Sequence, residues 1–478
     1  MEKVISFPSS SSLESPHFVI FPFMSKGHTI PLLHLACLLH RRGISITFIS
    51  TPFNSPSIRR SLSNTNTVAS IIDLPFPDSI PGLPPGVQST DQLPSDSLIF
   101  PFIVSTKLLQ PHFEQVLRSL PHVSCIISDG FLSWTLESAT KLGIPRVVSY
   151  GTCAYSTALR RATAREFTNQ PLVLKSFSPW IKITEDDLGS QDSGTSGPGI
   201  WYDLINEVVM ATSNSWGILF NSFYEMETAF VDYWNREFKP KAWCVGPLCL
   251  VGKPKPEDKP MWMQWLDTRA KVLYVAFGTQ VNVCAEQMRE IAVGLEGSGV
   301  DFLWVVRSKS DSDSDSWLGL ELEGKVKERG LIMREWVDQT EILRHESISG
   351  FLSHCGWNSV SESICASVPI LAWPMMAEQF LNAKMVVEEL GIGLRIPGAG
   401  AGDGGLVKAE VLQRVVRELM VEEKGKKVAE KVRMVGEEAK RAMTESGSSS
   451  VTLDLLITEV LHYSAIEKEK LEKAHGCN

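Results

Sequence analysis

The segment from Trp336 to Gln379, WVDQTEILRHESISGFLSHCGWNSVSESICASVPILAWPMMAEQ, sets an indole, an imidazole, amides and carboxylates among small residues and apolar runs. SISGFLSH reads as a strand and GWNSVSESICA as the first turns of a helix, with Asn358 or Ser359 suited to cap it and Gly356 allowing a tight turn. A strand that feeds backbone N–H groups into a helix start favours an anion, and His354, Asn358 and Ser359 add side-chain donors there. Phosphate is the natural guest. Glu362 follows Asn358 by one helical turn, so both project from one face, where a carboxylate can accept from ribose hydroxyls. Trp336 offers a flat face to a base. Glu378 and Gln379, after the strand ILAWP, pair an acceptor with an amide, as a polyol requires. Together these groups match base, ribose, diphosphate and sugar in one ligand. Singly they say little, because a Trp among apolar residues is usually core and an Asn-Ser pair usually a cap.

A second set of groups suits proton transfer. His34 and His40 fall within a helical pattern and His345 in a polar turn, whereas His28 sits beside Gly27 between a strand-like run and a helix start. A helix-cap histidine is the alternative reading. Asp129 ends the run CIISD at the same sheet edge. A carboxylate against one imidazole nitrogen fixes the tautomer and stabilises the imidazolium formed on proton uptake. Phe23, Met24, Phe131, Trp134 and Tyr155 flank that edge, as an apolar pocket or equally as core.

Positioning these groups requires sheets. HFVIFPF (17–23), a helical pattern from IPLLHLACLLHRRG with Pro31 in its first turn, and ISITFIS (44–50) form a β-α-β unit, hence a parallel sheet. The alternation returns in SCIISD (124–129), GFLSWTLESATKLG and IPRVVSY (144–150). After VGPL and the Pro-rich VGKPKPEDKP (251–260), a second series carries strands KVLYVAFG, DFLWVVR, SISGFLSH, VPILAWP and GIGLRI. Two β/α series around one linker predict two doubly wound domains facing across a cleft, with ligands at the carboxyl ends of the strands. The expected division falls near the linker, residues 1–250 for the first domain and the second from 251 on.

The chain has 478 residues, 21% of them charged, and a net charge of −9 with no basic stripe, which argues against nucleic acid. No apolar window reaches a membrane-spanning length, MEKVISFPSSSSLESPH lacks the apolar core of a secretory signal, and nine scattered cysteines form no C-x-x-C pair. A cytosolic protein without membrane insertion is expected. Two patterns mislead. DSDSDS (311–316) mimics an acid-x-acid metal site but lies in a Ser-Asp run that reads as a solvated loop. GAGDGG (400–405) satisfies G-x-G-x-x-G, yet a charged helical pattern follows where a dinucleotide site needs a strand ending in an acid. The metal expectation is therefore none.

The 336–379 segment resembles the 44-residue signature of plant family-1 UDP-sugar glycosyltransferases, with WVDQ, HCGWNS, ES, VP, WP and the terminal EQ in register. GHTIPLLHLA, STPFN, ISDGF, NSFYEME, VGPL, WLDTR, YVAFGT and FLWVVR extend the resemblance over nearly the whole chain. It implies a GT-B fold, two Rossmann-like domains facing across a cleft, with an acceptor-binding domain at 1–250, the UDP-sugar held mainly by a C-terminal domain at 251–459, and a helix at about 460–478 returning to the first. By resemblance Trp336 stacks on uracil and Val337 meets its edge, Gln339 and Glu362 serve the ribose, and His354, Asn358, Ser359 and Thr279 serve the diphosphate. Trp357, Glu378 and Gln379 then serve the sugar, and Thr152 is a further candidate to reach it. A terminal Gln accompanies glucose in this family and a terminal His galactose, so Gln379 favours UDP-glucose as co-substrate, with no permanently bound cofactor. His28 becomes the general base on an acceptor hydroxyl and Asp129 its orienter. The resemblance implies inverting, metal-independent transfer to a small lipophilic acceptor, a flavonoid or other phenolic first, by a monomer. Another UDP-sugar, a terpenoid or hormone acceptor, or a non-catalytic nucleotide-sugar sensor are the alternatives. A nicotinamide oxidoreductase is disfavoured, because FMSKGHT lacks the glycine fingerprint after the first strand. Asp338 stands where Pro is commoner and Ser367 where Gly is usual.

Overall fold

The structure, a computed structural model, describes residues 15–166, 172–173, 181–189, 200–252, 259–278, 283–306, 324, 326–400 and 405–475. Thr279 and the 311–316 Ser-Asp run lie outside the described residues, as does most of GAGDGG.

The first unit is built on strands β1 (His17–Phe21), β2 (Ser45–Ser50), β3 (Ser70–Asp73), β4 (Cys125–Asp129) and β5 (Arg146–Ser149). Next in the chain comes a two-stranded antiparallel ribbon, β6 (Leu172–Val173) with β7 (Lys182–Ile183), which groups with the second unit, before β8 (Gly217–Phe220) and β9 (Lys241–Cys244) return to the first. The seven-stranded sheet runs β3-β2-β1-β4-β5-β8-β9, with every pairing parallel. Both faces are buried, which explains the unbroken apolar run of β1. Phe18 and Ile20 enter one core, Val19 and Phe21 the other.

The second unit carries β10 (Val272–Ala276), β11 (Asp301–Val305), β12 (Gly330–Met333), β13 (Ile348–Ser353), β14 (Ile370–Ala372) and β15 (Gly393–Arg395). Its order is β12-β11-β10-β13-β14-β15, again all parallel. Leu273 and Val275 face one core and Val272 and Tyr274 the other.

The units are Met1–Ala154, Gly197–Pro254 and Ala442–Asn478 for the first, and Tyr155–Ser196 with Lys255–Arg441 for the second. Two segments thus differ from the simple cut near residue 250. Tyr155–Ser196 groups with the second unit, and the return to the first begins at Ala442 rather than near 460. The helix Ser448–His475 explains the return, because Leu453, Leu456, Ile457 and Val460 are buried in the core of the first unit. Each such side chain contributes about 1.5–3 kcal/mol on burial. Arg42 adds an ion pair to Asp454 at 2.5 Å, and Ser449 Oγ donates to the Gly246 carbonyl at 2.5 Å.

Candidate functional site

In each sheet the strand order reverses once, between β1 and β4 in the first and between β10 and β13 in the second. Loops leaving two such strands diverge, and the crevice between them collects polar groups. His28 and Asp129 fall at the first reversal and His354, Trp357, Asn358, Ser359 and Glu362 at the second, whereas Trp336, Val337 and Gln339 follow β12 and Glu378 and Gln379 follow β14.

In the first unit, Ser25 is extended and the helix Lys26–His40 begins immediately after it. His28 therefore occupies the first helical turn, one turn earlier than the pattern starting at Ile30 suggested, and Pro31 lies inside the helix rather than in that turn. Its Nδ1 stands 2.6 Å from Oδ2 of Asp129, the last residue of β4. The Asp129 side chain is 2% exposed and the imidazole 21%. Oδ1 of the same carboxylate accepts from the Phe131 N–H at 2.9 Å, which locks its orientation. A carboxylate so placed accepts the Nδ1 proton and leaves Nε2 as the basic nitrogen.

Aromatic rings wall this imidazole. Phe23 and Phe131 each have ring centroids 5.5 Å from it, and Phe102 stands behind Phe23 at 5.8 Å. Met24 is buried beside them in the same core. Trp134 instead packs on Phe21 and Phe113, with its indole N–H donating to Thr106 Oγ1 at 3.1 Å. It is core, because its polar edge is already satisfied internally. Thr152 is half-buried at the end of the first unit, and Tyr155 is fully buried and belongs to the second.

In the second unit, His354 follows β13 directly. A Cβ added at Gly278 or Gly356 would lie only 2.9 or 2.5 Å from His354 Nε2, so both positions must be glycine for the ring to fit. Nδ1 is buried without a hydrogen-bond partner among the described residues. Burial lowers the pKa to about 4, so this imidazole is neutral at physiological pH and acts as a hydrogen-bonding group rather than a cation.

The helix Trp357–Ala366 starts from Gly356, with no side-chain cap. Neither Asn358 nor Ser359 caps it, because both lie inside the first turn. The leading amides keep their anion-binding capacity. Ser359 Oγ accepts from Gln339 Nε2 at 2.9 Å, and Glu362 Oε2 accepts from the same nitrogen at 2.7 Å. Tyr274 donates to Gln339 Oε1 at 3.3 Å. Asp338 caps the helix Gln339–Leu343 by accepting from the Thr340 and Glu341 N–H groups, which accounts for a carboxylate at that position. Trp336 is 59% exposed, while Val337 and Trp357 are buried at 7% and 3%. The Trp357 indole is thus packed.

Glu378 precedes the helix Gln379–Lys384. Gln379 Oε1 accepts from the Met375 and Met376 N–H groups, both at 3.0 Å. Its amide orientation is thereby set, and Nε2 is the donor left for a ligand. Asn382, one turn on, donates to the Cys355 carbonyl at 3.0 Å and ties this helix to the His354 loop. Sequence reading did not find Asn382, Tyr274 or the buried Arg146 of β5, since an amide, a phenol and a cation inside apolar runs have no spacing signal of their own. Among the described residues, no group of three or more His, Cys, Asp or Glu could hold a metal ion, and no helix is long and apolar enough to cross a membrane.

Two doubly wound parallel sheets with polar constellations at their reversal points define a GT-B glycosyltransferase architecture. The models "UDP-glucoronosyl and UDP-glucosyl transferase" and "Glycosyltransferase, N-terminal domain" match residues 210–415 and 14–250. UDP-glycosyltransferase 90A1 of Arabidopsis thaliana is 48% identical, over 94% of this chain and 98% of its own. Scopoletin glucosyltransferase of Nicotiana tabacum is 34% identical over the same shares. Among solved structures, Glycyrrhiza uralensis UGT73P12 complexed with glycyrrhetinic acid 3-O-monoglucuronide superposes with a TM-score of 0.83 at 29% identity, covering 97% of this chain and 99% of that one. Medicago truncatula UGT71G1 complexed with UDP-glucose gives 0.76 at 28%, covering 94% and 98%. The chain belongs to the plant family-1 UDP-glycosyltransferases and is an enzyme of that class.

Proposed function

We propose that this enzyme moves glucose from UDP-glucose to a hydroxyl of a small lipophilic acceptor, a flavonoid or other phenolic first, and forms a β-O-glucoside in one inverting displacement. The first unit supplies the base and the second binds the donor. His28 Nε2 takes the proton of the acceptor hydroxyl as its oxygen attacks the anomeric carbon opposite UDP, and Asp129 stabilises the resulting imidazolium. Trp336 and Val337 hold the uracil, Gln339 and Glu362 the ribose. The leaving diphosphate gains charge, met by the uncapped amides before Ser359, by Asn358, Thr279 and neutral His354. Glu378 and Gln379 hold the sugar, Gln379 as a donor. No metal is needed in this scheme, and the enzyme acts as a cytosolic monomer.

One observation carries the reading: the 2.6 Å His28–Asp129 contact beside aromatic rings. Support for a phenolic acceptor comes from those rings and from relatives named for scopoletin and for a flavonoid. Products from a panel of aglycones, each offered UDP-glucose, UDP-galactose and UDP-glucuronic acid with and without chelator, are to be identified by mass spectrometry. The expected result is a phenolic glucoside at undiminished yield with chelator. Transfer only from another UDP-sugar, or only with added divalent metal, overturns the corresponding part.

A further inference from the structure

Arg146 opens β5 and is 2% exposed. Its Nε donates to Ser128 Oγ at 2.7 Å and Thr135 Oγ1 at 2.9 Å, Nη1 to Ser215 Oγ at 2.7 Å, and Nη2 to the main-chain carbonyl of Asp129 at 3.2 Å. All four bonds end on uncharged oxygens. A buried cation is costly to desolvate and normally meets a carboxylate, which these bonds do not provide. Burial lowers its pKa to about 10, with Tyr150 and Asp129 acting the other way, so the guanidinium stays charged at neutral pH.

We propose that Arg146 is a positioning residue for the His28–Asp129 pair: its buried cation, bonded to the Asp129 main chain, opposes a second positive charge on the imidazole and so keeps His28 a proton acceptor. β4 and β5 pair in parallel with Ile126 opposite Arg146 and Asp129 opposite Ser149, so the Arg146 side chain runs along β4 to reach the Asp129 carbonyl. A positive charge in a dry interior lowers the pKa of an acid beside it and disfavours a second positive charge nearby. Among the described residues, charged or titratable groups near this edge include Tyr150, whose hydroxyl bonds to Thr212, Glu207, which accepts from Ser133 Oγ at 2.7 Å, and the Lys26–Asp91 ion pair at 3.0 Å, with Lys26 half exposed. The groups that hold the guanidinium itself, Ser128, Thr135 and Ser215, are neutral and do not titrate.

The test is the titration of the His28 imidazole, followed by NMR in the full-length protein with labelled histidine and assigned with His28→Gln. Arg146→Met is expected to raise the His28 pKa by roughly half a unit or more, and Arg146→Lys to leave it near the wild-type value. Ser215→Asp keeps the arginine but gives Nη1 a carboxylate, and is expected to raise the His28 pKa likewise; it decides the matter if Arg146→Met does not fold. Ser215→Ala removes one hydrogen bond, and should lower the melting temperature without moving the titration. A wild-type His28 pKa in folded Arg146→Met or in Ser215→Asp overturns the proposal, as does an equal shift in Ser215→Ala. The NMR readout does not depend on the reading of His28 as base, on which the kinetic consequence rests. If the acidic limb of kcat/KM fails to follow the NMR shift, His28 is not the base and the assignment of Arg146 stands.

Discussion

Nδ1 of His28 and Oδ2 of Asp129 stand 2.6 Å apart across 101 residues of sequence. Parallel pairing of β1 with β4, Phe21 opposite Ser128, brings the two strand ends level, so Asp129 at the end of β4 meets the helix start that follows β1. The contact follows from topology.

Substitutions at this pair test its role directly. His28→Gln is expected to lower kcat by roughly 10²–10⁴-fold, and Asp129→Asn by a similar order, while UDP binding measured by calorimetry stays unchanged. Turnover within a few-fold of wild type in His28→Gln would remove the imidazole from the reaction.

Gln379 spends its carbonyl oxygen on two backbone N–H groups and keeps only Nε2 for a ligand. Gln379→Glu preserves both acceptor contacts and deletes the donor. Its thermal midpoint should hold while kcat/KM for UDP-glucose falls by roughly tenfold, the worth of one hydrogen bond. An unchanged kcat/KM would show that Nε2 does not touch the sugar.

Asp338 caps the short helix that begins with Gln339. Asp338→Ala should cost about 1 kcal/mol of stability and raise the KM for UDP-glucose, with Asp338→Asn restoring most of both. Equal effects of Ala and Asn on urea unfolding would rule out capping as the cause.

Among the described residues, three of the four non-glycine residues with positive φ lie in or beside the donor segment: Cys355, Ser367 and Ala377. Ser367 ends the helix Trp357–Ala366 at φ 60, a conformation that costs roughly 1–2 kcal/mol with a side chain. Ser367→Gly is expected to stabilise by about 0.5–1 kcal/mol in urea unfolding, part of the gain being offset by the freer unfolded chain. Destabilisation instead would mean that the hydroxyl carries a bond worth more than the strain.

His354 links stability to pH. Its folded pKa of about 4 lies below the unfolded value of 6.5, so between the two the unfolded chain binds the extra proton. The contribution is complete above about pH 6.5 and is lost as pH falls towards 4. His354→Gln should reduce the stability lost between about pH 7.5 and about pH 4.5 by on the order of 1 kcal/mol. An acid slope identical to wild type would show that the ring is solvated in solution.

The sequence alone determined the α/β alternation, the strands richest in Val, Ile and Phe, and the types and order of the donor-segment residues, because these are local properties of period and composition. It did not yield β3, β8, β9 or β12, four-residue strands whose pairing rests on neighbours rather than on their own pattern. Only the tertiary structure decided that Trp134 and Trp357 are buried, that Gln339 bridges Ser359 and Glu362, and that the chain returns to its first unit from Ala442. The reason is physical. A side chain's type states which bonds it is able to make, but which partner it meets is set by parallel register between strands far apart in sequence, and burial then makes that choice costly to change.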